Sequence, residues 1–377
     1  MDARSNGDGR VLVLVGGGHA HVEVLRRLAE SREPGLAIVV VCDRARSLYS
    51  GMVPGFVAGQ YAAGELEIDV PALAARAGAR WIGTAAVGID AARRRVALAD
   101  GSEVAYDLAS LDVGSTVAGL ATPGVREHAL STRPIAEFVA RIPEVVARCE
   151  RERSPHVVVV GGGAAGVELA FCTRARIARE TGGRARVTIV EGGPELLPGA
   201  TRALRGCAMR AAARAAIAVR TGRRVVEVAA GGVELDSDEA LAADLVVWAT
   251  GAAAHPFVAE SALPAAALDE RGFARVGATL EVAGCDGLFA VGDCASLPGT
   301  AKAGVYAVRQ GPVLADNLRA AHRGEPLARY APQRDFLRLL NLGDGTAIAA
   351  KWGLAAHGAL AMRLKDRIDR GFMRRYR

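Results

Sequence analysis

Three absences narrow the reading of this sequence. Its six cysteines (Cys42, Cys149, Cys172, Cys207, Cys285 and Cys294) show neither C-x-x-C nor C-x-x-x-x-C spacing. That argues against a close-paired redox disulfide or a zinc knuckle, so no metal site is expected. Aromatic residues make up only 5% of the 377, and the formal charge of +6 comes from arginines spread along the chain. With no basic stripe interleaved with aromatics, nucleic-acid binding is not expected. No apolar stretch reaches the roughly 18 residues a membrane helix needs, and the polar residues 1–10 do not resemble a signal peptide. Scattered thiols fit a reducing cytoplasm.

What is present is a repeated grammar. Residues 11–15 (VLVLV) suit a parallel strand buried on both faces, and Gly16, Gly17 and Gly18 allow the backbone to turn and approach a pyrophosphate. The helix that follows, opening at His19 and Ala20, points free N–H groups at such an anion. The third position of G-x-G-x-x-G/A holds His21, with Ala20 one residue before it, and His19 and His21 flanking the turn support its backbone. A second apolar run, 36–42, ends at Asp43, a carboxylate placed for ribose hydroxyls. The pattern then recurs: residues 156–160 lead into Gly161, Gly163 and Gly166, and residues 187–190 end at Glu191. The closures match as well, DLASLDVG ending at Gly114 and DLVVWATG at Gly251. The fold class expected is α/β with two Rossmann-like dinucleotide-binding domains.

Between these landmarks, residues 47–61 read as a glycine-rich loop covering a ligand, 65–77 as a short helix with Pro71 near its start, and 80–88 as a strand. Residues 93–106 read as a hairpin about Asp100-Gly101, and 131–152 as an amphipathic helix. Strand-like pieces at 274–276, 279–282 and 287–291 must complete an earlier sheet. The expected division is a discontinuous first dinucleotide-binding domain (1–117 and 255–332), a second dinucleotide-binding domain (118–254) and a C-terminal segment (333–377).

With the strand ending in Gly292-Asp293 added to two fingerprints and two closures, the chain resembles the two-dinucleotide flavoproteins of the pyridine nucleotide-disulfide oxidoreductase superfamily. The missing C-x-x-x-x-C motif and the C-terminal extension make it similar to the branch of type II NADH dehydrogenases and sulfide:quinone oxidoreductases. The phrases GGGHAHVEVLRR, YSGMVPGFVAGQY, KAGVYAVRQGP and KDRIDRGFMRRY look most like the flavoprotein module fused ahead of selenide, water dikinase, although no dikinase follows here. The resemblance implies that Asp293 binds the ribityl chain of FAD, and that the helix opening near Gly304 and Val305 faces the flavin ring.

It also implies roles for individual residues. Glu168 matches a glutamate near the flavin and nicotinamide in type II dehydrogenases, although a helix-start carboxylate has its own stabilisation from the dipole. Lys302 stands where sulfide:quinone oxidoreductases carry a lysine near the flavin or quinone, the plain alternative being a surface lysine; Arg309 and Gln310 follow on the same helix. Tyr49 and Met52 either pack on the flavin or fill the loop's core. Glu191 favours NADH over NADPH, because a carboxylate repels a 2′-phosphate. Cys172 and Cys294 do not match the cysteine pair that sulfide oxidation needs, and read as buried thiols. Residues 351–377 read as a basic amphipathic helix at an anionic membrane surface, with docking on the protein itself or on a homodimer mate as the alternative. The expected activity is electron transfer from NADH (or NADPH) through FAD to a quinone, in the cytoplasm or on the inner face of the cell membrane. The alternatives are a sulfide- or chalcogen-oxidising enzyme and a non-catalytic flavoprotein partner in selenophosphate synthesis.

Overall fold

The computed structural model describes residues 9–152 and 154–377; the polar residues 1–8 lie outside it. In chain order its principal elements are β1 (Arg10–Val15), α1 (His19–Glu30), β2 (Leu36–Val41), β3 (Arg80–Ile82), β4 (Leu108–Leu111), β5 (Ala129–Ser131), α2 (Ile135–Glu150), β6 (His156–Val160), α3 (Ala164–Glu180), β7 (Arg186–Glu191), β8 (Ile217–Thr221), β9 (Leu245–Trp248), β10 (Leu288–Ala290), α4 (Gly304–Arg323), β11 (Arg338–Asn341), β12 (Ala347–Lys351), β13 (Leu354–Gly358) and α5 (Ala359–Met373).

Two five-stranded sheets of one design follow. The first runs β10-β4-β1-β2-β3 and the second β5-β9-β6-β7-β8, every pairing in both being parallel. Helices on both faces of a parallel sheet demand apolar strands, and Leu12 to Val15 and Val157 to Val159 are almost fully buried. The sheets differ at one edge. The second takes β5 from just ahead of itself, whereas the first takes β10 from well past the middle of the chain, so of the three late strand-like pieces only 287–291 completes the earlier sheet; Ala274–Arg275 pairs instead with Ala295–Ser296, and 279–282 makes only isolated bridges. Gly311 lets α4 press on α1: a Cβ there would stand 2.8 Å from the Cβ of Glu23.

Several expected boundaries shift. The helix expected over 65–77 covers only Val70–Arg76, because Asp69 accepts from the Ala72 N–H as its N-cap and Glu67–Asp69 pairs as a strand with Arg46–Leu48. The strand expected over 80–88 breaks after Ile82, and Ala86–Asp90 joins an antiparallel sheet with the expected hairpin. Residues 47–61 hold a strand end, a 3₁₀ turn and the short helix Val53–Val57 rather than open loop. The helix of the C-terminal stretch starts only at Ala359, since Trp352 and Gly353 turn with positive φ between β12 and β13. No described helix is long and apolar enough to cross a membrane.

Candidate active site

A cavity of about 360 Å³ opens at the C-terminal ends of the first sheet's strands, where ligands sit in doubly wound folds. Its wall includes the Gly16–Gly18 turn, His19, Asp43, the segment after β4, Asp293 and Gly304. The turn is sterically closed to other residues. Gly16 has φ 93°, and a Cβ there would lie 2.5 Å from the Asp112 carbonyl oxygen. Gly161 repeats this in the second sheet, with φ 114° and the Ala249 oxygen at 2.4 Å. Asp112 and Ala249 are thus equivalent positions. The Asp112 carboxylate accepts from the N–H groups of Ala20 (2.9 Å) and His21 (3.1 Å), inside the first turn of α1.

The irregular fingerprint has a physical reason. In the second copy a Cβ on Gly166 would come within 1.9 Å of the Gly161 oxygen. At the corresponding place His21 spans that contact with its ring, Nδ1 lying 2.8 Å from the Gly16 carbonyl oxygen and Nε2 2.9 Å from the Ser110 hydroxyl. A carbonyl only accepts, so Nδ1 carries the proton and Nε2 accepts from Ser110. Burial pushes the His21 pKa down to about 4, which keeps the ring neutral. His19 is lowered to about 4 for the same reason, against the opposing pull of Asp293. It stands between the cavity and the rings of Tyr49 and Phe372 (centroids 5.5 and 6.0 Å).

Asp293 is paired with Arg133 at 2.8 Å, and the Gly292 N–H ahead of it donates to Gln310 Oε1 at 2.7 Å. Gln310 is therefore buried as a bracket for this turn. Lys302 stacks its ammonium 3.7 Å above the Phe273 ring and donates to the Ala295 carbonyl; burial lowers its pKa. Asp43 lies on the cavity's opposite side with His255 near it. In the second unit Glu191 accepts from the Gly162 N–H (2.6 Å) and the Gly193 N–H (2.7 Å), bracing the glycine turn. A Cβ on Gly163, Gly251 or Gly114 would meet nothing within 4 Å, so these glycines border open space. Val305, in the first turn of α4, is half-buried.

A second polar centre lies where α3, the 47–61 segment and α5 converge. Glu168 accepts from the Asn341 N–H at 2.8 Å, and burial pushes its carboxyl up to about 7 against the pull of Lys365. Lys365 Nζ donates to Asp369 (2.9 Å) and to the Gly51 carbonyl (2.8 Å), and the Tyr49 hydroxyl donates to Asp369 at 3.2 Å. Lys365 and Asp369 are 6% and 4% exposed, yet Leu360 on the same helix is 77% exposed. The α5 face opposite the buried one carries Leu360, Leu364 and Ile368, with Trp352 and Leu354 exposed in the preceding hairpin. So the helix docks on the protein and still presents an apolar face.

Sequence reasoning missed Lys365, Asp369 and Asp112. The signals were there: Lys365 and Asp369 share the helical stripe of Met362, Phe372 and Tyr376, and Asp112 interrupts an apolar strand where the second copy has Ala249. All six cysteines are buried. Cys294 donates to the carbonyls of Leu111 and Val291, and its pKa is pushed up to about 12; Cys172 is raised too and donates to the Asn341 carbonyl. Among the described residues no cluster of His, Cys, Asp and Glu could hold a metal ion.

The family model for the pyridine nucleotide-disulphide oxidoreductases matches residues 10–311. The chain belongs to that family. As a pyridine nucleotide-disulphide oxidoreductase it is 27% identical to the demethylphylloquinone reductase of a Synechocystis strain over 373 residues, 93% of this chain and 89% of the other. To an external alternative mitochondrial NAD(P)H-ubiquinone oxidoreductase of Arabidopsis thaliana it is 27% identical over 338 residues, 78% of this chain and 57% of that one. Its fold is that of the sulfide:quinone oxidoreductase of Aquifex aeolicus, with TM-score 0.85, 17% identity, 98% of this chain and 92% of the other covered. The oxidoreductase match ends inside α4, so Asn341, Lys365 and Asp369 lie beyond it.

Proposed function

We propose that this chain is an FAD-dependent oxidoreductase that passes electrons from NADH to a quinone. The observation that carries the reading is the pair of like-ordered parallel sheets, each with a sterically enforced glycine turn, together with a buried acid-base centre under an exposed apolar face. The relatives' reductase and NAD(P)H-ubiquinone names support it. On this reading the units are 1–117 with 255–332 for FAD, 118–254 for nicotinamide, and 333–377 for the acceptor.

The first cavity fits a flavin dinucleotide: a glycine cradle that a Cβ would fill, with carboxylates at both ends. Gly16, Gly18 and Ala20 would hold the pyrophosphate, Asp43 the adenosine ribose, and Gly114, Gly292, Asp293, Gly304 and Val305 the ribityl and ring end. When bound, FAD supplies hydride acceptance at its ring and two-electron delivery onward. Gly161, Gly163 and Gly166 would seat the NADH pyrophosphate at the start of α3, Glu191 would accept from its ribose hydroxyls, and Gly251 leaves the approach open. A quinone takes up two electrons and two protons, and the hydride that NADH gives up carries both electrons and one of the protons, so one further proton is needed. Glu168, raised to about 7, gives one within the cell's pH range, and the Lys365–Asp369–Tyr49 group replenishes it. Lys302 fixes the 295–304 turn through the Ala295 carbonyl.

Anaerobic titration of the yellow protein with NADH should bleach the oxidised flavin band stoichiometrically and fast. A protein whose flavin stays oxidised would sink the NADH reading. The sulfide alternative draws no support from Cys172 and Cys294, whose buried thiols are pushed up and held protonated.

The apolar face of α5 is where the acceptor's membrane would touch the protein, flanked by Arg363 and Arg367. Replacing Leu360, Leu364 and Ile368 by serine should release the protein from anionic vesicles in a flotation assay and leave NADH bleaching unchanged. Retained flotation would count against this contact.

A further inference from the structure

Asp112 is the odd residue of the first dinucleotide site. The second sheet carries Ala249 at the equivalent place, and there a Cβ on Gly163, just ahead of the helix, would meet nothing within 4 Å. In the first sheet a carboxylate fills that space. It is 4% exposed, accepts from the Ala20 and His21 N–H groups, and is wedged so tightly that a Cβ on Gly18 would lie 2.2 Å from its Cγ and one on Gly292 2.7 Å from its Oδ1. The same carboxylate lines the cavity.

We infer that binding of a dinucleotide at the first glycine turn is proton-linked through Asp112, whose carboxyl takes up one proton as the pyrophosphate arrives. The inference rests on the reading of this cavity as the FAD site. A helix N-terminus carries only roughly half a positive charge, and here a protein anion already uses it. The groups facing Asp112 do not neutralise it. From α1 come two N–H groups, the neutral His21 and the neutral His19. From the turn after β10 come Asp293, which repels it, and Cys294, which is protonated. Arg133 is engaged by Asp293, and Lys302 lies over Phe273. Burial, helped by repulsion from Asp293 and opposed by the two N–H groups, already pushes Asp112 up to about 7, from an ordinary 3.8. A pyrophosphate at the same helix end adds like charge, so the bound form holds the proton to higher pH still. Between those two limits, complex formation is Asp112 carboxylate plus dinucleotide plus one proton giving the carboxylic acid form of the complex, with no electron transferred. The acid form has a hydrogen to donate to a phosphate oxygen, where the carboxylate has none.

The sign is fixed by linkage. The group is ionised in the free protein above about pH 7 and protonated in the complex, so affinity must fall as pH rises, by up to about tenfold per unit for one proton. The test is flavin release from the purified holoprotein on dilution at pH 6.5 to 9, read by the rise in free-flavin fluorescence. The wild type should show an apparent Kd that climbs steeply above pH 7. Asp112→Asn, isosteric and uncharged, and Asp112→Ala, which copies the second sheet, should each give a nearly flat profile. A flat wild-type profile, or variants as steep as the wild type, would overturn the proton linkage with the flavin reading intact. A colourless protein that takes up no added FAD would overturn both.

Discussion

Gly166→Ala should abolish reduction by NADH while the protein stays yellow. The added methyl would stand 1.9 Å from the Gly161 carbonyl oxygen, with the Ala249 Cβ only 3.5 Å away. Backbone and a core-facing side chain supply these neighbours, so no flexible group can yield. The start of α3 must therefore tilt away from β6, which displaces the N–H groups that would receive the pyrophosphate. A misplacement near 1 Å commonly costs on the order of a hundredfold in rate, and flavin reduction at a fixed subsaturating NADH concentration should fall by at least that much. The first site lies on another sheet and should keep its flavin. Stopped-flow bleaching and the flavin-to-protein absorbance ratio separate the two effects: lost flavin would mean that the substitution unfolded more than the turn. His21 marks the contrast, since the first unit accommodates a side chain at the same place by converting the contact into a hydrogen bond to Gly16.

How much of this was legible beforehand depended on whether the signal was local. Both glycine turns, Asp43, Glu191 and Asp293 announce themselves because strand, turn and acid follow each other in sequence. The pairing of β10 with β4 was inferable only as a demand that the late strands join something, since a parallel neighbour so far along the chain leaves no local trace. Boundaries failed where a side chain overruled periodicity. Asp69 capped a helix later than its apolar spacing implied, and the turn at Trp352 and Gly353 cut a hairpin out of an apparently continuous amphipathic stretch. The acid-base centre was least legible. Glu168 was singled out for its place after the fingerprint, but its partners come from residues 49–60, 341 and 365–369, which only tertiary packing brings together.

That centre carries the other large effect. Glu168→Gln keeps the shape and the hydrogen bond from the Asn341 N–H but leaves no proton to give. Loss of a positioned acid typically costs 10²- to 10⁴-fold, and the loss should appear in reoxidation of reduced flavin by a water-soluble quinone, with NADH bleaching unaffected. The pH profile supplies the sign. Glu168 is raised to about 7 from an ordinary 4.5, so it is protonated below that point, and wild-type quinone reduction should decline as pH rises through about 7. The variant should lose that limb altogether. The same shift acts on stability: the folded chain holds a proton that the unfolded chain has released, so this residue's contribution is full below about 4.5 and is lost as pH climbs toward 7. Lys365→Met tests the neighbouring link. It strands Asp369 with the Tyr49 hydroxyl as its remaining partner in a buried setting, a change that costs roughly 3–5 kcal/mol in comparable buried pairs. Lys365→Met with Asp369→Leu should recover most of that stability and still reduce quinone slowly. If the double variant recovered full quinone turnover as well, the pair would be holding α5 in place and Glu168 would draw its proton directly from water.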